Sequence, residues 1–99
     1  MVIPVRDLAD SLDSCLKGLE QQYNREAIEV IVVDDGSADG SPEVARRSGV
    51  RVVSQPRQGA AVARNHGVLE ARGRIILFLD ADCVPAPDWA SKLARPLLD

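Results

Sequence analysis

The chain has 99 residues, a formal net charge of −3 and an apolar share of 45%, a composition typical of one globular domain with a modest core. Its lysines and arginines form no cluster, so we expect no nucleic-acid partner. No apolar run is long enough to span a bilayer, and no signal peptide is visible. We therefore expect a single domain over residues 1–99, in the cytoplasm or held at the cytoplasmic face of a membrane by segments outside this sequence.

The cysteines and the histidine give weak functional signals. Cys15 and Cys83 lack the spacing of a metal site and are too few for a disulfide scaffold, so both are expected to be reduced. Cys83 stands beside an acidic pair and could line a site, although a small loop residue is the favoured interpretation. His66 is the only histidine, and a solvated helical position is favoured for it over a catalytic role.

The first third of the chain predicts a strand, a helix and a second strand. Residues 1–5 are apolar from the outset, so we expect the natural chain to begin earlier. Asp7 is expected to cap the following helix. A second, largely apolar strand is predicted over residues 28–33. The helix carries apolar residues at helical spacing, expected to be core: Leu8, Leu12, Cys15, Leu16, Leu19 and Tyr23.

The second strand ends abruptly in acidic and small residues. Asp34 and Asp35 follow its last apolar residue, and the loop over residues 36–41 is rich in glycine, serine and aspartate. Ser41 and Pro42 have the chemistry of an N-cap and a first helical position, which predicts a short helix through residue 47. A third strand is predicted over residues 50–53.

Residues 59–71 predict a helix whose small residues would let it lie close to the sheet. A strand buried on both faces is predicted over residues 75–79, since this run is short, apolar and unbroken. A last helix is expected from Pro87, with an apolar side left partly uncovered. The small residues of the earlier helix are Ala60, Ala63, Gly67 and Ala71, and the apolar residues of the last one are Trp89, Leu93 and Leu97.

Strands therefore alternate with helices, which predicts an α/β fold with a mainly parallel sheet and right-handed crossovers. The carboxyl ends of parallel strands meet at one edge, where such sheets bind ligands. Asp80 and Asp82 follow the fourth predicted strand and have the hard oxygen atoms that Mg²⁺ or Mn²⁺ prefers. Solvated loop residues are the alternative for this pair, and a turn or helix cap is the alternative for Asp34 and Asp35.

Four segments occur together in an order that closely resembles family 2 glycosyltransferases. They are VIPVRD at residues 2–7, IVVDDGSADGS at 31–41, GAAVARNHG at 59–67 and ILFLDAD at 76–82. The resemblance covers nearly the whole chain. It implies the nucleotide-sugar-binding half of a GT-A fold, a three-layer α/β/α arrangement with strand order 3-2-1-4.

The same resemblance implies an activated sugar donor, most simply a UDP-sugar, a divalent cation (Mn²⁺ or Mg²⁺) and transfer with inversion at the anomeric carbon. The acceptor would be an unidentified glycan, lipid or small molecule. Position by position, the resemblance implies that Asp35 would bind the base, with Asp34 as its neighbour, and that Pro4 and Arg6 would flank the nucleotide. Arg64 and Asn65 would support the donor pocket. Asp80 would meet the ribose or the metal, and Asp82 would bind the cation.

The general base of this family comes from the later half of its domain, and no residue of this sequence matches it. We therefore expect the base and the acceptor surface to lie beyond Asp99, and the isolated chain not to transfer sugar at an enzyme-like rate.

Other classes with alternating strands and helices fit less well. A signalling receiver domain would place its acidic pair after the first strand and a lysine after a later one, whereas Lys17 and Lys92 lie on predicted helices. A dinucleotide-binding oxidoreductase would have a Gly-x-Gly-x-x-Gly turn after its first strand. A nucleotidyltransferase would usually have an early basic, glycine-rich loop. A non-catalytic nucleotide-binding or interaction module stays open as the alternative to an enzyme.

Overall fold

The computed structural model describes residues 1–98, and its strands and helices alternate as predicted as far as residue 70, after which the last two helices follow one another without a strand between them. A short 3₁₀ turn, Arg25–Ala27, precedes the second strand. The strands are β1 (Val2–Val5), β2 (Ile31–Asp35) and β3 (Arg51–Gln55), and the helices are α1 (Ala9–Glu20), α2 (Ser41–Arg47), α3 (Ala60–Glu70) and α4 (Trp89–Leu98).

The sheet is parallel and has the order β3-β2-β1, which confirms the 3-2-1 part of the predicted order. Val2 pairs with Ile31 between β1 and β2, and Val32 pairs with Val52 between β2 and β3. On the free side of β1, Val2 also forms a parallel bridge with Phe78. The segment before the second acidic pair therefore lies beside β1, at the position expected of a fourth strand.

The prediction that residues 75–79 form a strand buried on both faces is wrong. The segment makes a single bridge, through hydrogen bonds from Val2 N to Leu77 O at 2.8 Å and from Leu79 N to Val2 O at 3.2 Å. Leu79 is buried, but the Phe78 side chain is 45% exposed. Within residues 1–98 this segment is the edge of the sheet, so β1 is the only strand that its backbone pairs with.

Helices cover both faces of the sheet, which confirms the three-layer arrangement. On one face, Ile3 and Val32 pack in a single core with Leu12 and Leu16 of α1, and this core extends to α2 and to Ala90 of α4. On the other face, Val2, Ile31 and Val33 pack with Ala63 of α3. Because successive side chains of a strand point to opposite faces, this double coverage explains why β1 is apolar throughout and β2 is apolar over residues 31–33.

The predicted close approach of α3 to the sheet is confirmed in the middle of that helix. Ala63 and Gly67 are buried, whereas Ala60 at the first turn is exposed. A Cβ atom added to Gly67 would lie 2.3 Å from Cγ1 of Val2, a distance that real atoms do not reach. Glycine at this position is therefore required for α3 to pack on β1.

The predicted core stripe of α1 is confirmed for its central residues and wrong at both ends. Leu12, Cys15, Leu16 and Leu19 are buried. The other two lie outside the helix, which begins at Ala9 and ends at Glu20, and they are exposed: Leu8 by 40% and Tyr23 by 61%.

Two predicted helix caps are also wrong. Asp7 has a left-handed backbone with φ of 53°, and Leu8 occupies the N-cap of α1. Ser41 is the first residue of α2, with Gly40 at its N-cap. The Asp7 side chain instead binds the loop after β2, and the Ser41 side chain binds the loop after β1. Hydrogen bonds between the two loops therefore replace the predicted capping bonds.

The last helix leaves much of its apolar side uncovered, as predicted. Ala90 is buried and Trp89 half-buried, while Leu93 and Leu97 are exposed. Among the helices of residues 1–98, none has the length and hydropathy needed to cross a membrane. The cytoplasmic location expected from the sequence stays a prediction.

Candidate nucleotide and cation site

The loops after β1, β2 and β3 meet at the carboxyl edge of the sheet, where two acidic pairs lie. Parallel pairing of β1 with β2 and with the segment around Phe78 directs all these chain segments towards the same edge. Asp34 and Asp35 end β2, and Asp80 and Asp82 follow the bridge segment. The edge therefore brings together carboxylates that are far apart in sequence.

Asp35 is buried and bound by its own chain. Its Oδ1 atom accepts hydrogen bonds from Nε2 of Gln55 at 2.9 Å and from the backbone N–H of Gln58 at 2.8 Å, and its Oδ2 atom accepts from the N–H of Gly59 at 3.0 Å. The Gln55 amide, followed by these backbone donors and the charge of Arg6, holds the pKa of Asp35 below its ordinary value, although burial acts in the opposite direction. Asp35 is thus a stable carboxylate.

The position of Asp35 relative to α3 adds to this stabilisation. Gly59 is the N-cap of α3, so the carboxylate lies at the end of that helix where unpaired N–H groups carry partial positive charge. Asp34 is also buried, and the N–H of Ser37 lies 3.3 and 3.4 Å from its two carboxylate oxygens. Both residues therefore order the loops that follow β2 and β3.

A second network ties the loop after β1 to the loop after β2, and the sequence analysis missed it. Asp7 Oδ1 accepts from the N–H of Ala38 at 2.7 Å, while Ser37 Oγ accepts from the N–H of Asp7 at 3.0 Å. Ser41 Oγ donates to Asp39 Oδ1 at 2.6 Å and accepts from the N–H of Leu8 at 3.2 Å. The Asp/Ser composition of residues 34–41 was the available signal, but local turns and caps explain it equally well.

Gly36 belongs to the same packed edge. Its φ of 76° is left-handed, and an added Cβ atom would lie 2.9 Å from the backbone nitrogen of Arg57. The loop after β2 therefore approaches the loop after β3 so closely that a side chain at position 36 has no room.

His66 lies on a helix, as predicted, but its side chain is only partly solvated. It is 31% exposed, and Nδ1 lies 3.0 Å from Oε1 of Gln55. Gln55 is itself buried and binds Asp35. No local pattern predicts a contact between the end of β3 and the middle of α3, so the sequence offered no signal for either residue.

The second acidic pair is exposed and has few protein partners. Carboxylate oxygens of Asp80 and Asp82 and the thiol of Cys83 lie within 4.8 Å of one another. Arg64 of α3 approaches Asp80, with 3.6 Å between its guanidinium nitrogen and Oδ1. Two carboxylates with oxygen atoms open to solvent fit the donor set of Mg²⁺ or Mn²⁺, which keep several water or phosphate ligands.

The remaining residues predicted for the site lie on elements that reach the same edge. Pro4 is half-buried in β1 opposite Val33, and Arg6 is exposed just after that strand. Asn65 is exposed on α3, next to Arg64. The structure brings Asp80, Asp82 and Arg64 together, and the positive charge of Arg6 contributes to lowering the pKa of Asp35.

Open parallel α/β sheets bind their ligands at the carboxyl ends of the strands, which is where the acidic residues of this chain lie. The profile of glycosyl transferase family 2 matches residues 1–99, so the chain belongs to that family. Glycosyltransferase AglE of Haloferax volcanii is 35% identical over an alignment of 99 positions, which covers 93% of this chain and 33% of AglE.

Two solved structures have the same fold. The mannosyltransferase PcManGT of Pyrobaculum calidifontis, in complex with GDP-Man and Mn²⁺, is 31% identical, with a TM-score of 0.91 over 99% of this chain and 31% of its own. Glucosyl-3-phosphoglycerate synthase of Mycobacterium tuberculosis, in complex with Mn²⁺, UDP and glucosyl-3-phosphoglycerate, is 30% identical, with a TM-score of 0.85 over 98% of this chain and 38% of its own. The fold is thus of the GT-A type, and the chain spans about a third of the length of these relatives.

Proposed function

We propose that this chain forms the donor-binding part of an inverting glycosyltransferase that uses a UDP-sugar and a divalent cation. The observation that carries the proposal is the exposed cluster of Asp80, Asp82 and Cys83 at the carboxyl edge of the sheet, in a chain of family 2. The complexes of the two solved relatives, one with GDP-Man and Mn²⁺ and one with UDP and Mn²⁺, support a nucleotide-sugar donor.

The buried acidic pair is assigned to the nucleoside. Asp35 would accept a hydrogen bond from the base, with Asp34 beside it at the end of β2. Pro4 and Arg6 would flank the nucleotide from the end of β1. Because its three donors already hold Asp35 as a carboxylate, this residue is ready to accept a further N–H without a change of protonation.

The exposed pair is assigned to the diphosphate side of the donor. Asp82 would hold Mn²⁺ or Mg²⁺, and Asp80 would contact the ribose or the cation. When bound, the cation would supply Lewis-acid stabilisation to the departing nucleotide. Arg64, which reaches Asp80, would fix that carboxylate, and Arg64 and Asn65 together would support the donor pocket from α3.

We assign no general base within residues 1–98. Asp34, Asp35, Asp80 and Asp82 have roles at the nucleoside and the cation, and a carboxylate that binds a cation is a poor proton acceptor for a distant hydroxyl. The acceptor would be a glycan, a lipid or a small molecule. Residues 1–99 alone should accordingly bind donor but release little UDP in the presence of an acceptor.

Titration calorimetry with UDP, in the presence and absence of Mn²⁺, tests the proposal. We expect Mn²⁺ to strengthen UDP binding about tenfold, equivalent to about 1.4 kcal/mol. The Asp82→Asn variant should lose most of this increment and keep the metal-free affinity. Asp10→Asn, which changes an exposed aspartate on α1, is the matched control and should retain the increment.

Equal enhancement by Mn²⁺ in the Asp82→Asn variant would contradict the cation assignment. Acceptor-dependent release of UDP from the UDP-sugar, measured on the natural protein, then separates an enzyme from a nucleotide-binding module without catalysis. Such a module would bind UDP but would not produce it from the donor.

A further inference from the structure

Gln55 and His66 form a hydrogen-bonded pair that contacts Asp35 through Gln55, and no step of the proposed chemistry uses this pair. Gln55 donates through Nε2 to Oδ1 of Asp35 at 2.9 Å. Its other amide atom, Oε1, lies 3.0 Å from Nδ1 of His66. Gln55 is 8% exposed, so this amide has little access to water as a substitute partner.

The orientation of both side chains follows from what each group can donate. An ionised carboxylate only accepts hydrogen bonds, so Gln55 must present its NH₂ group to Asp35 and its oxygen to His66. Nδ1 of His66 must then carry a hydrogen, because the amide oxygen also only accepts. Gln55 is thereby held in one orientation from both ends.

The other side of the His66 ring faces a residue that is itself fixed. Nε2 of His66 lies 3.9 Å from Oε1 of Glu70. Glu70 is bound by the guanidinium of Arg51, which also donates to the backbone oxygen of Glu70 at 2.8 Å. Arg51 begins β3 and Gln55 ends it, so α3 and β3 together hold the ring that orients Gln55.

These contacts leave Asp35 little capacity for a ligand. A carboxylate has about four acceptor positions, two on each oxygen. Within the described part of the chain, Oδ1 accepts from Gln55 and from Gln58, and Oδ2 accepts from Gly59. One position remains, on Oδ2.

We propose that Gln55, oriented by His66, makes this site select uracil over guanine. The inference rests on the proposed role of Asp35 in binding the base. Uracil presents one ring N–H to such a carboxylate and satisfies the single free position. Guanine presents two adjacent N–H groups and needs one acceptor on each oxygen, so one of its donors would stay unpaired against Asp35. Sites that leave a buried polar group unpaired discriminate strongly against that ligand.

Gln55 and His66 are therefore positioning residues that set the specificity of Asp35. Removal of the Gln55 amide frees an acceptor position on Oδ1 and should admit guanine. Removal of the His66 N–H leaves the Gln55 amide held at one end only, which loosens its hydrogen bond to Asp35 and should have the same effect in weaker form.

The test compares the affinities of UDP and GDP for the protein, both at saturating Mn²⁺, by calorimetry. The unaltered protein should bind UDP at least about tenfold more tightly than GDP. Gln55→Leu should bring the two affinities to within about threefold of each other, with GDP binding improved. His66→Leu should reduce the preference by a smaller factor. His66→Asn is the matched control, because its amide can donate near the position of Nδ1 and should restore the preference.

The result has several clear outcomes. If Gln55→Leu does not fold, His66→Leu still decides, since the His66 side chain is 31% exposed and its replacement disturbs less of the core. An unaltered protein that binds GDP as tightly as UDP overturns this inference and leaves the proposed donor site intact. A UDP preference that survives in both leucine variants also overturns it. Failure to bind either nucleotide overturns the proposed function as well.

A nitrogen NMR spectrum of His66 gives an independent readout. A ring that carries a hydrogen on Nδ1 is expected. A ring protonated only on Nε2 would contradict the orientation of Gln55, whatever the nucleotide affinities.

Discussion

The two acidic pairs, Asp34-Asp35 and Asp80-Asp82, follow apolar segments in the same way in the sequence, but the structure puts them in opposite environments. Asp34 and Asp35 are 5% and 4% exposed, and backbone and side-chain donors surround them. Asp80 and Asp82 are exposed, and the Arg64 guanidinium near Asp80 is the one ionic partner that the structure shows for the pair within residues 1–98.

A carboxylate at a sheet edge can therefore be bound by the chain itself or stay open to solvent, depending on its burial. Within the described residues, Asp35 accepts three hydrogen bonds that order the loops, which leaves about one acceptor position of the carboxylate open. The exposed pair keeps its oxygen atoms free, as a cation with water and phosphate ligands requires. The first pair should therefore dominate stability and the second should dominate the response to metal.

The largest expected effect is on the free energy of unfolding. Asp35→Ala leaves the Gln55 amide and the N–H groups of Gln58 and Gly59 without their acceptor. Each unpaired buried donor costs about 1–3 kcal/mol, and water will reach some of them, so a loss of about 2–4 kcal/mol is expected. Asp82→Ala removes an exposed side chain and should stay within about 0.5 kcal/mol of the unaltered protein.

Urea denaturation followed by circular dichroism measures both variants. Similar losses in the two proteins would contradict the prediction that the buried pair dominates stability. They would show that the contacts of Asp35 contribute no more to the fold than an exposed loop residue does.

A smaller effect is expected in the pH dependence of stability. Its hydrogen bonds hold the pKa of Asp35 below the ordinary value, so the folded state binds this proton less tightly than the unfolded state does. The contribution of Asp35 is therefore complete above the unfolded pKa, about 3.9, and is lost as the pH falls below it towards the folded pKa. Asp35→Asn removes the titrating group.

The stability difference between the unaltered protein and Asp35→Asn should be constant above about pH 5 and should narrow below about pH 4. Denaturation curves across this range provide the check. A difference that widens in acid would mean that the folded pKa of Asp35 is raised, contrary to the geometry.

The sequence predicted the elements whose signals are local and periodic. The apolar runs of β1 and β2 and the stripe of Leu12, Leu16 and Leu19 indicated the layers correctly. Gly67, within a run of small residues, indicated where α3 lies close to β1. The strand pairing and burial of residues 75–79 were overestimated, because an apolar run predicts burial but cannot show how many strands pair with it.

The interior of the candidate site could not be predicted in the same way. Asp7 and Ser41 have the residue types of helix caps, and only the tertiary approach of two loops shows that they bind across 30 or more positions of sequence. Gln55 and His66 have no motif at all. The acids were found because several of them end strands, whereas the groups that hold them were not, since hydrogen-bond partners from different elements leave no periodic trace.

The smallest effect is expected in the reactivity of the two thiols, and it involves no change in the free energy of unfolding. One cysteine is buried, and the other lies beside the exposed acidic pair. Cys15 is fully buried in α1, and burial, followed by the charges of Cys83 and Asp82, raises its pKa to about 11, so about one molecule in a thousand carries the thiolate at pH 8. Cys83 is exposed, and partial desolvation of its sulfur, followed by the charge of the neighbouring Asp82, raises its pKa as well. A disulfide reagent at pH 8 should therefore modify one thiol in the native protein and both in urea. Cys83→Ser should leave no reactive thiol in the native state. In the structure, Cys15 Sγ lies 3.9 Å from the backbone oxygen of Asp80, so residues 80–83 cover this thiol on α1. Two reactive thiols in the native protein would mean that residues 80–83 separate from α1. The exposed acidic pair would then belong to a loose segment instead of a surface fixed on the core.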